Sequence, residues 1–183
     1  MVQKHTKSKL YPMTVTAIVA SIMAVTAPFA LFLGPIPISL CTLLIYVSVY
    51  LLGRKGSVTA TLLYILMGMV GLPVFSGFSG GAGKLFGPTG GYILGYLAVA
   101  MCTGWAVERF PLRRGMHLLG MTAGTAILYL LGTLWYCIQT GQMLSAAIGL
   151  CVLPFLPGDA WKMAGALFLG PLLRERLKKA GLL

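Results

Sequence analysis

Long apolar runs, separated by short polar or glycine- and proline-rich connections, set the pattern of this chain. A run of about 17 residues or more is long enough for a helix to cross the hydrocarbon core of a bilayer. The runs near that length predict an all-α polytopic membrane protein with six transmembrane helices. The predicted spans cover about 13–33, 38–52, 57–72, 89–107, 116–138 and, lastly, a stretch from near 159 to 173.

The last apolar stretch, 143–173, is cut in two by the sequence PFLPGD at 154–159. A helix rises about 1.5 Å per residue, so the residues before the cut are too few to cross a bilayer. We therefore expect a short helix or a dipping segment on one side of the membrane, followed by a sixth span that starts near Asp159.

Composition agrees with a membrane protein, since 58% of the residues are hydrophobic and 9% are charged. A soluble domain carries about 25% charged residues. The net charge of +11 does not indicate nucleic acid. The basic residues stand in short clusters between apolar runs and not beside polar and aromatic contacts on a folded face. We expect the lipid bilayer as a partner and no nucleic acid.

The basic residues divide unequally between the two sides that six spans define. Only Lys84 and Lys162 fall on one side. The positive-inside rule then places both termini in the cytoplasm and the chain in the cell (plasma) membrane. We expect residues 1–183 to form a single transmembrane substrate-binding domain, with 1–10 as a cytoplasmic basic tail. The other twelve basic residues are Lys4, Lys7, Lys9, Arg54, Lys55, Arg109, Arg113, Arg114, Arg174, Arg176, Lys178 and Lys179.

The irregular backbone sequences lie on the opposite, extracellular side. They are GPIP at 34–37, GFSGGAGKLFGPTGG at 77–91 and PFLPGD at 154–159. Irregular backbone at membrane depth is tolerated only where it is buried in protein or lines a water-filled cavity. Three such breaks on one side indicate loops that form a ligand pocket. Three ordinary connecting loops are the alternative.

Gly90 and Gly91 begin the fourth predicted span, directly after Pro88 and Thr89. A helix N-terminus carries partial positive charge and unpaired N–H groups, which suit a carbonyl or a carboxylate. Glycine also allows a ligand to approach the backbone closely. Tyr92 can add an aromatic wall and one hydroxyl. These three residues are candidate ligand contacts.

Asp159 and Lys162 form the second polar constellation on the extracellular side. Their spacing of three residues places both on nearly the same face of a helix. Ionisable groups within spans are costly, by about 2.5–3.5 kcal/mol at mid-depth, and usually mark function. The alternatives are an N-cap role for Asp159 and a Lys162 side chain that pairs with it or extends to the membrane interface.

Catalytic, nucleotide and metal sites find little support in the sequence. The stretch GGAGKL does not match a phosphate loop, because Phe78 stands at the first glycine position and Leu85 follows Lys84. The two histidines, His5 and His117, cannot join a nucleophile and an acid on one side of the membrane. The four cysteines lack metal-like spacing. We expect neither an enzyme nor a metal site.

Three stretches together resemble the BioY family, the biotin-specific membrane component of energy-coupling-factor (ECF) vitamin transporters. They are GPIPISLCT at 34–42, GLPVFSGFSGGAGKLFGPTGGYILGY at 71–96 and PFLPGDAWK at 154–162. One departure concerns the family pattern PxPxTxQ, where Cys41 stands near the expected Gln and Ser39 replaces the Thr. If that Gln touches ligand in relatives, its contact is absent here.

The resemblance implies a six-helix substrate-binding (S) component that captures biotin from outside. Its partners would be a transmembrane coupling (T) protein and two cytoplasmic ABC-type ATPases, which alone would use ATP, and it would need no cofactor itself. Asp159 would accept from the ureido N–H groups, and Lys162 or the start of the fourth span would meet an oxygen. The candidate apolar wall is Phe75, Phe78, Tyr92 and Trp161.

A small-residue pair on the first span, Ala20 and Ala24, is spaced for close helix approach and, by the resemblance, for docking to the coupling protein. Two alternatives stay open for the whole chain. One is an S component for another small vitamin, for which Cys41 is the reason, and the other is an intramembrane enzyme or a channel.

Overall fold

The computed structural model describes residues 10–30 and 36–180, and the regular structure within them is helical apart from isolated bridge residues, among them the pair Phe75 and Ser79. The basic tail residues Lys4, Lys7 and Lys9 lie outside the described residues. The helices are α1 (Leu10–Thr26), α2 (Cys41–Met69), α3 (Ala82–Phe86), α4 (Gly90–Arg109), α5 (Arg114–Thr140), α6 (Leu144–Cys151) and α7 (Leu156–Lys179), with a 3-10 turn at Leu153–Phe155.

Helix α2 consists of two antiparallel arms that meet at Gly53, where φ is 69° and ψ is −177°. The hydroxyl oxygens of Ser48 and Ser57 lie 2.6 Å apart, on opposite sides of this glycine. In a continuous helix, nine residues span about 13 Å, so the chain must reverse between them. The predicted division into two apolar segments is therefore correct. The predicted connection over 53–56 is wrong, because Gly53 alone makes the reversal and the helix resumes at Arg54.

Three helical stretches in the described ranges are long and apolar enough to cross a membrane: α4, α5 and the stretch 144–179, which contains α6 and α7. The arms of α2 and the apolar part of α1, Pro12–Thr26, are shorter. Helix α1 ends at Thr26, earlier than the predicted 33, because Pro28 cannot donate a helical hydrogen bond. The structure is thus an all-α, membrane-type fold, and six crossings stay a prediction.

Helices α4 and α5 approach each other through glycines. A Cβ on Gly95 would meet the backbone of Leu128 at 3.0 Å, and one on Gly124 would meet that of Val99 at 2.8 Å. Small residues at such positions allow close helix contact within membranes. The closely packed helices α4 and α5 together form one wall of the candidate site.

The predicted break near 154–159 is present, but it lies earlier than expected. The short helix expected there is α6, and the 3-10 turn follows it. Helix α7 begins at Leu156, with Pro157 in its first turn, where its missing N–H is tolerated. Asp159 therefore lies inside the first turn of α7 and makes no capping hydrogen bond, so the alternative of an N-cap role is wrong.

Candidate functional site

A narrow cleft lies where α4, α5, the first arm of α2 and the start of α7 meet. The segment 36–39, which precedes α2, forms one of its walls. The polar side chains that face it come from five parts of the chain: the segment 36–39, α2, α4, α5 and α7. Its lining residues are Ile36, Pro37, Ile38, Ser39, Thr42, Tyr92, Tyr96, Leu128, Tyr129, Phe155, Asp159 and Lys162.

Asp159 is the acidic centre of this first cleft and is only 5% exposed. Its Oδ1 accepts a hydrogen bond from Lys162 Nζ at 2.9 Å, and its Oδ2 accepts one from the hydroxyl of Tyr129 on α5. A carboxylate offers about four lone-pair sites, and Lys has three N–H donors. The carboxylate is therefore held in place by two bonds and keeps acceptor capacity toward the cleft, while Lys162 keeps further donors.

The Asp159–Lys162 pair is buried on both sides, with side chains 7% and 11% exposed. Burying two charges incurs a desolvation cost that their attraction repays only with good geometry and further hydrogen bonds. A buried ion pair is therefore weak evidence of stabilisation. Its place on the wall of a cleft instead favours a binding role, as intramembrane ionisable groups usually do.

Thr42 adds a polar group that has no hydrogen-bond partner among the described residues. Its Oγ1 is buried and forms no hydrogen bond with any described residue, although the residue lines the first cleft. A buried hydroxyl without a partner loses the free energy of a hydrogen bond. Thr42 is thus available to a ligand. Nearby, the hydroxyls of Ser39 and Tyr96 lie 3.4 Å apart and tie the 36–39 segment to α4.

A second cleft adjoins the first and shares four of its residues: Ile36, Pro37, Tyr92 and Tyr96. Its polar side chains include Lys84 on α3 and Thr89, whose Oγ1 is also buried without a partner in the described part of the chain. The other residues that line it are Tyr64, Phe75, Ser76 and Ile93. The two clefts therefore present a buried ion pair on one side and a cation on the other, with aromatic rings between.

The predicted contacts at the start of α4 lie at the clefts only in part. Tyr92 lines both clefts, and its hydroxyl bonds with Thr133 at 2.9 Å. Gly90 and Gly91 are buried, and a Cβ on them would meet the carbonyl oxygen of Leu85 at 1.6 Å and Cβ of Trp135 at 2.4 Å. The structure thus uses both glycines for close packing, and their contact with a ligand stays a prediction.

The predicted apolar wall is divided by the structure. Phe75 is buried and lines the second cleft. Phe78 is 59% exposed, with φ of 55°, and its ring packs edge-on against Phe29, outside both clefts. Trp161 is 81% exposed. At about 100° per residue, it points to nearly the opposite side of α7 from Asp159. The structure therefore does not bring Phe78 or Trp161 to the clefts.

The predicted docking pair on α1 is turned inward. Ala20 is only 3% exposed, and Ala24 is half-buried against the core. The exposed small residues on this helix are Ala17 and Ser21, also four residues apart. Because the apolar face of α1 packs on α2, Ala20 is not accessible to a partner in this conformation.

Several cleft residues were not singled out as candidates from the sequence. Tyr96 had a usable signal, since it follows Tyr92 by four residues and so shares its helix face. Lys84 had one as well, as an outer cation within the glycine-rich segment. No local pattern marks Thr42, Thr89 or Tyr129. Cys41, which stands where the family pattern has Gln, is fully buried and lines neither cleft.

Comparison with known proteins gives a consistent assignment. The model of the BioY family matches residues 2–179. The chain is 34% identical to biotin transporter BioY2 of Lactococcus lactis subsp. cremoris, over 81% of this chain and 82% of that one. It is 35% identical to biotin transporter BioY of Thermotoga maritima, over 88% and 92% of the two chains.

A solved structure shares the fold. The crystal structure of the S-component for biotin from an ECF-type ABC transporter matches with a TM-score of 0.81 and 23% sequence identity, over 95% of this chain and 94% of the other. At this identity the match supports the fold alone. It extends over nearly all of both chains, so the helical arrangement of this chain is the fold of that structure.

Proposed function

The chain belongs to the BioY family, and we propose from this premise that it captures biotin as the substrate-binding component of an ECF-type uptake transporter. The family consists of transport proteins and not of enzymes. The observation that carries the proposal is the buried Asp159–Lys162 pair, positioned by Tyr129 at the wall of a cleft.

Biotin matches the chemistry of the first cleft at its ring end. The ureido group has two N–H donors and one carbonyl acceptor. Asp159 has acceptor capacity for an N–H group, while Lys162 and Thr42 have donors for the carbonyl. Charge-assisted hydrogen bonds of this kind contribute about 1.5–3 kcal/mol each. We assign the ureido ring to the first cleft on this basis.

The opposite end of biotin is a carboxylate, joined to the rings by an apolar chain. The second cleft offers Lys84 and the unpartnered hydroxyl of Thr89, and Tyr92 and Tyr96 stand between the clefts. An anion next to a lysine that no acidic residue neutralises is favourable, and the aromatic rings suit the chain. We assign the carboxylate to the second cleft.

Ligand entry requires a movement of the segment 36–39. The clefts enclose only about 40 and 20 Å³, whereas small-molecule sites measure about 300–1,000 Å³. Ile36 and Pro37 line both clefts, so moving them away from Tyr92 and Tyr96 joins the two spaces into one. We propose that the Ser39–Tyr96 contact breaks when this segment opens.

The wider assembly follows from the same premise. We propose six crossings of the plasma membrane, with both termini cytoplasmic, because most basic residues then lie on the cytoplasmic side. A coupling protein and two ABC-type ATPases would supply the energy, with ATP used only by the ATPases and no cofactor in this chain. The whole chain would act as one substrate-binding domain.

The test is equilibrium binding of labelled biotin to the purified chain in detergent, without partner proteins. Saturable binding that unlabelled biotin competes away, and that other small vitamins do not, supports the proposal. If well-folded protein binds another small vitamin instead, the assignment to biotin is wrong, although the transport class stands. If it binds none, capture by the isolated chain is wrong.

A further inference from the structure

An apolar groove of about 540 Å³ lies between α4 and α5, near the connection that joins them. It is separate from both clefts and shares no residue with them. Small residues make it concave and long apolar side chains form its sides, with a single charged residue at its edge. The lining residues are Arg54, Met101, Cys102, Trp105, Ala106, Met116, Leu119, Gly120 and Ala123.

The end of the groove at the 110–113 connection is strongly basic. The guanidinium carbon of Arg109 lies 5.9 Å from the ring centre of Phe110, and that ring meets Trp105 edge-on with centres 5.9 Å apart. Arg109 is thereby held next to the groove. Arg113 and Arg114 follow at the start of α5 and are exposed.

This positive charge is not balanced within the chain. The chain has three acidic residues, and each already pairs with a cation in the described structure: Glu108 with Arg54, Asp159 with Lys162 and Glu175 with Lys179. No acidic residue stands in the first turn of α5, whose N-terminal end carries partial positive charge. Glu108 is the one acidic side chain of the described residues beside the groove, and Arg54 already neutralises it. Arg109, Arg113 and Arg114 are therefore left without an acidic partner among the described residues, next to an apolar groove of membrane-type helices.

We propose that this groove binds one anionic phospholipid, with an acyl chain between α4 and α5 and its phosphate at Arg109 and Arg113. Basic pockets beside membrane helices are typical sites for anionic headgroups. Trp105, about half-exposed at the basic end, is of the type found at the membrane interface. A neutral lipid would fill the groove but leave the arginines without a counter-charge.

The experiment is native mass spectrometry of the full chain, purified in detergent and exposed to equal amounts of phosphatidylglycerol and phosphatidylcholine with the same acyl chains. We expect one retained lipid with a clear preference for phosphatidylglycerol. Ala123→Leu fills the groove and should abolish retention. Ala126→Leu, on the same helix but outside the groove, should retain the lipid. The two variants are matched, because both alanines are exposed and each gains the same side chain.

A second pair of variants tests the charge. Arg109→Gln should lower the phosphatidylglycerol preference about fivefold, as expected from about 1 kcal/mol for each basic residue near an anionic surface. Arg176→Gln, which removes an exposed charge far along the chain on α7, should leave it unchanged. The thermal unfolding midpoint of each variant shows whether it is folded. The lipid experiment can therefore be interpreted whether or not the chain binds biotin.

Two outcomes would overturn the proposal. One is equal retention of both lipids by the unchanged chain. The other is identical behaviour of the matched variants, Ala123→Leu with Ala126→Leu and Arg109→Gln with Arg176→Gln. If Ala123→Leu instead abolished assembly with the coupling protein while lipid retention stayed intact, the groove would be a protein interface and not a lipid site.

Discussion

At the scale of single residues, the site depends on how Asp159 is held. Its two carboxylate oxygens are bonded to Lys162 on its own helix and to Tyr129 on α5, so two elements determine its orientation. Groups that are positioned before a ligand arrives lose little entropy when it binds. Asp159 therefore presents its carboxylate to a ligand in one orientation.

Asp159→Asn should lower biotin affinity about 10- to 100-fold, since it removes one charge-assisted hydrogen bond of about 1.5–3 kcal/mol. Equilibrium binding of labelled biotin measures the change. Glu175→Gln is the matched control, because it removes an acidic residue from an exposed ion pair at the far end of α7. Equal affinities of the Asp159 variant and the unchanged chain would leave Asp159 with a structural role alone.

Lys84→Met tests which end of biotin the second cleft receives. The variant should bind biotin about 10-fold more weakly, the effect of one hydrogen bond to a charged group. It should bind biotin amide, which lacks the negative charge, as well as the unchanged chain does. Competition of each compound against labelled biotin gives both values. A similar loss for the two compounds would argue against the carboxylate assignment.

At the scale of elements, glycines determine how closely helices approach. Gly124 and Gly95 bring α5 and α4 together, and Gly132 makes room for the ring of Tyr92, which a Cβ there would meet at 2.5 Å. The position of the Tyr92 ring between the two clefts thus depends on a glycine of the neighbouring helix. At Gly53 the positive φ permits the reversal of α2, and the backbone N–H of Arg54 donates to Glu108 at 2.7 Å.

Gly124→Ala should destabilise the protein, because its Cβ would lie 2.8 Å from the Cα of Val99, where only a backbone shift relieves the contact. Overpacking of this kind costs about 1–3 kcal/mol. Thermal unfolding in detergent measures it as a lowered midpoint. Gly115→Ala on the same helix has open space around it and should be neutral or slightly stabilising. Equal midpoints for the two variants would contradict close packing at Gly124.

At the scale of the whole molecule, α1 offers one face to the core and the other to its surroundings. Ala20 and Met23 are buried, whereas Ala17, Ser21 and Val25 are exposed. If α1 docks to the coupling protein, the exposed small residues are the ones available for close contact. The predicted interface therefore changes from the inward face of α1, with Ala20 and Ala24, to its outward face, with Ala17 and Ser21.

Ala17→Trp should therefore retain biotin binding and abolish biotin uptake in cells that contain the coupling proteins, because the bulky ring prevents close helix contact. Ala20→Trp should weaken both, because that side chain has no space in the core. Binding to the purified chain and uptake by cells are measured side by side. Normal uptake by the Ala17 variant would exclude docking through this face of α1.

How much was predictable depended on whether a feature is local. The membrane class, the order of apolar segments, the break before α7 and the pairing of Asp159 with Lys162 all follow from residues close in sequence. The ends of the helical segments did not follow from the apolar pattern, because a single residue such as Pro28 or Gly53 determines where a helix stops. The sequence could not exclude Phe78 and Trp161 as wall residues, because local sequence does not show whether an aromatic side chain near a site points toward it or away from it.

The sequence by itself determined the helical membrane class and the family, since apolar length and motif spacing are properties of the chain alone. Only the tertiary structure decided which side chains meet. Tyr129 reaches Asp159 across 30 positions, Gly90 and Gly91 pack against neighbouring segments, and Ala20 turns inward. The reason is physical: helix packing selects one face of each helix for burial, and contacts between helices depend on that choice and not on local composition.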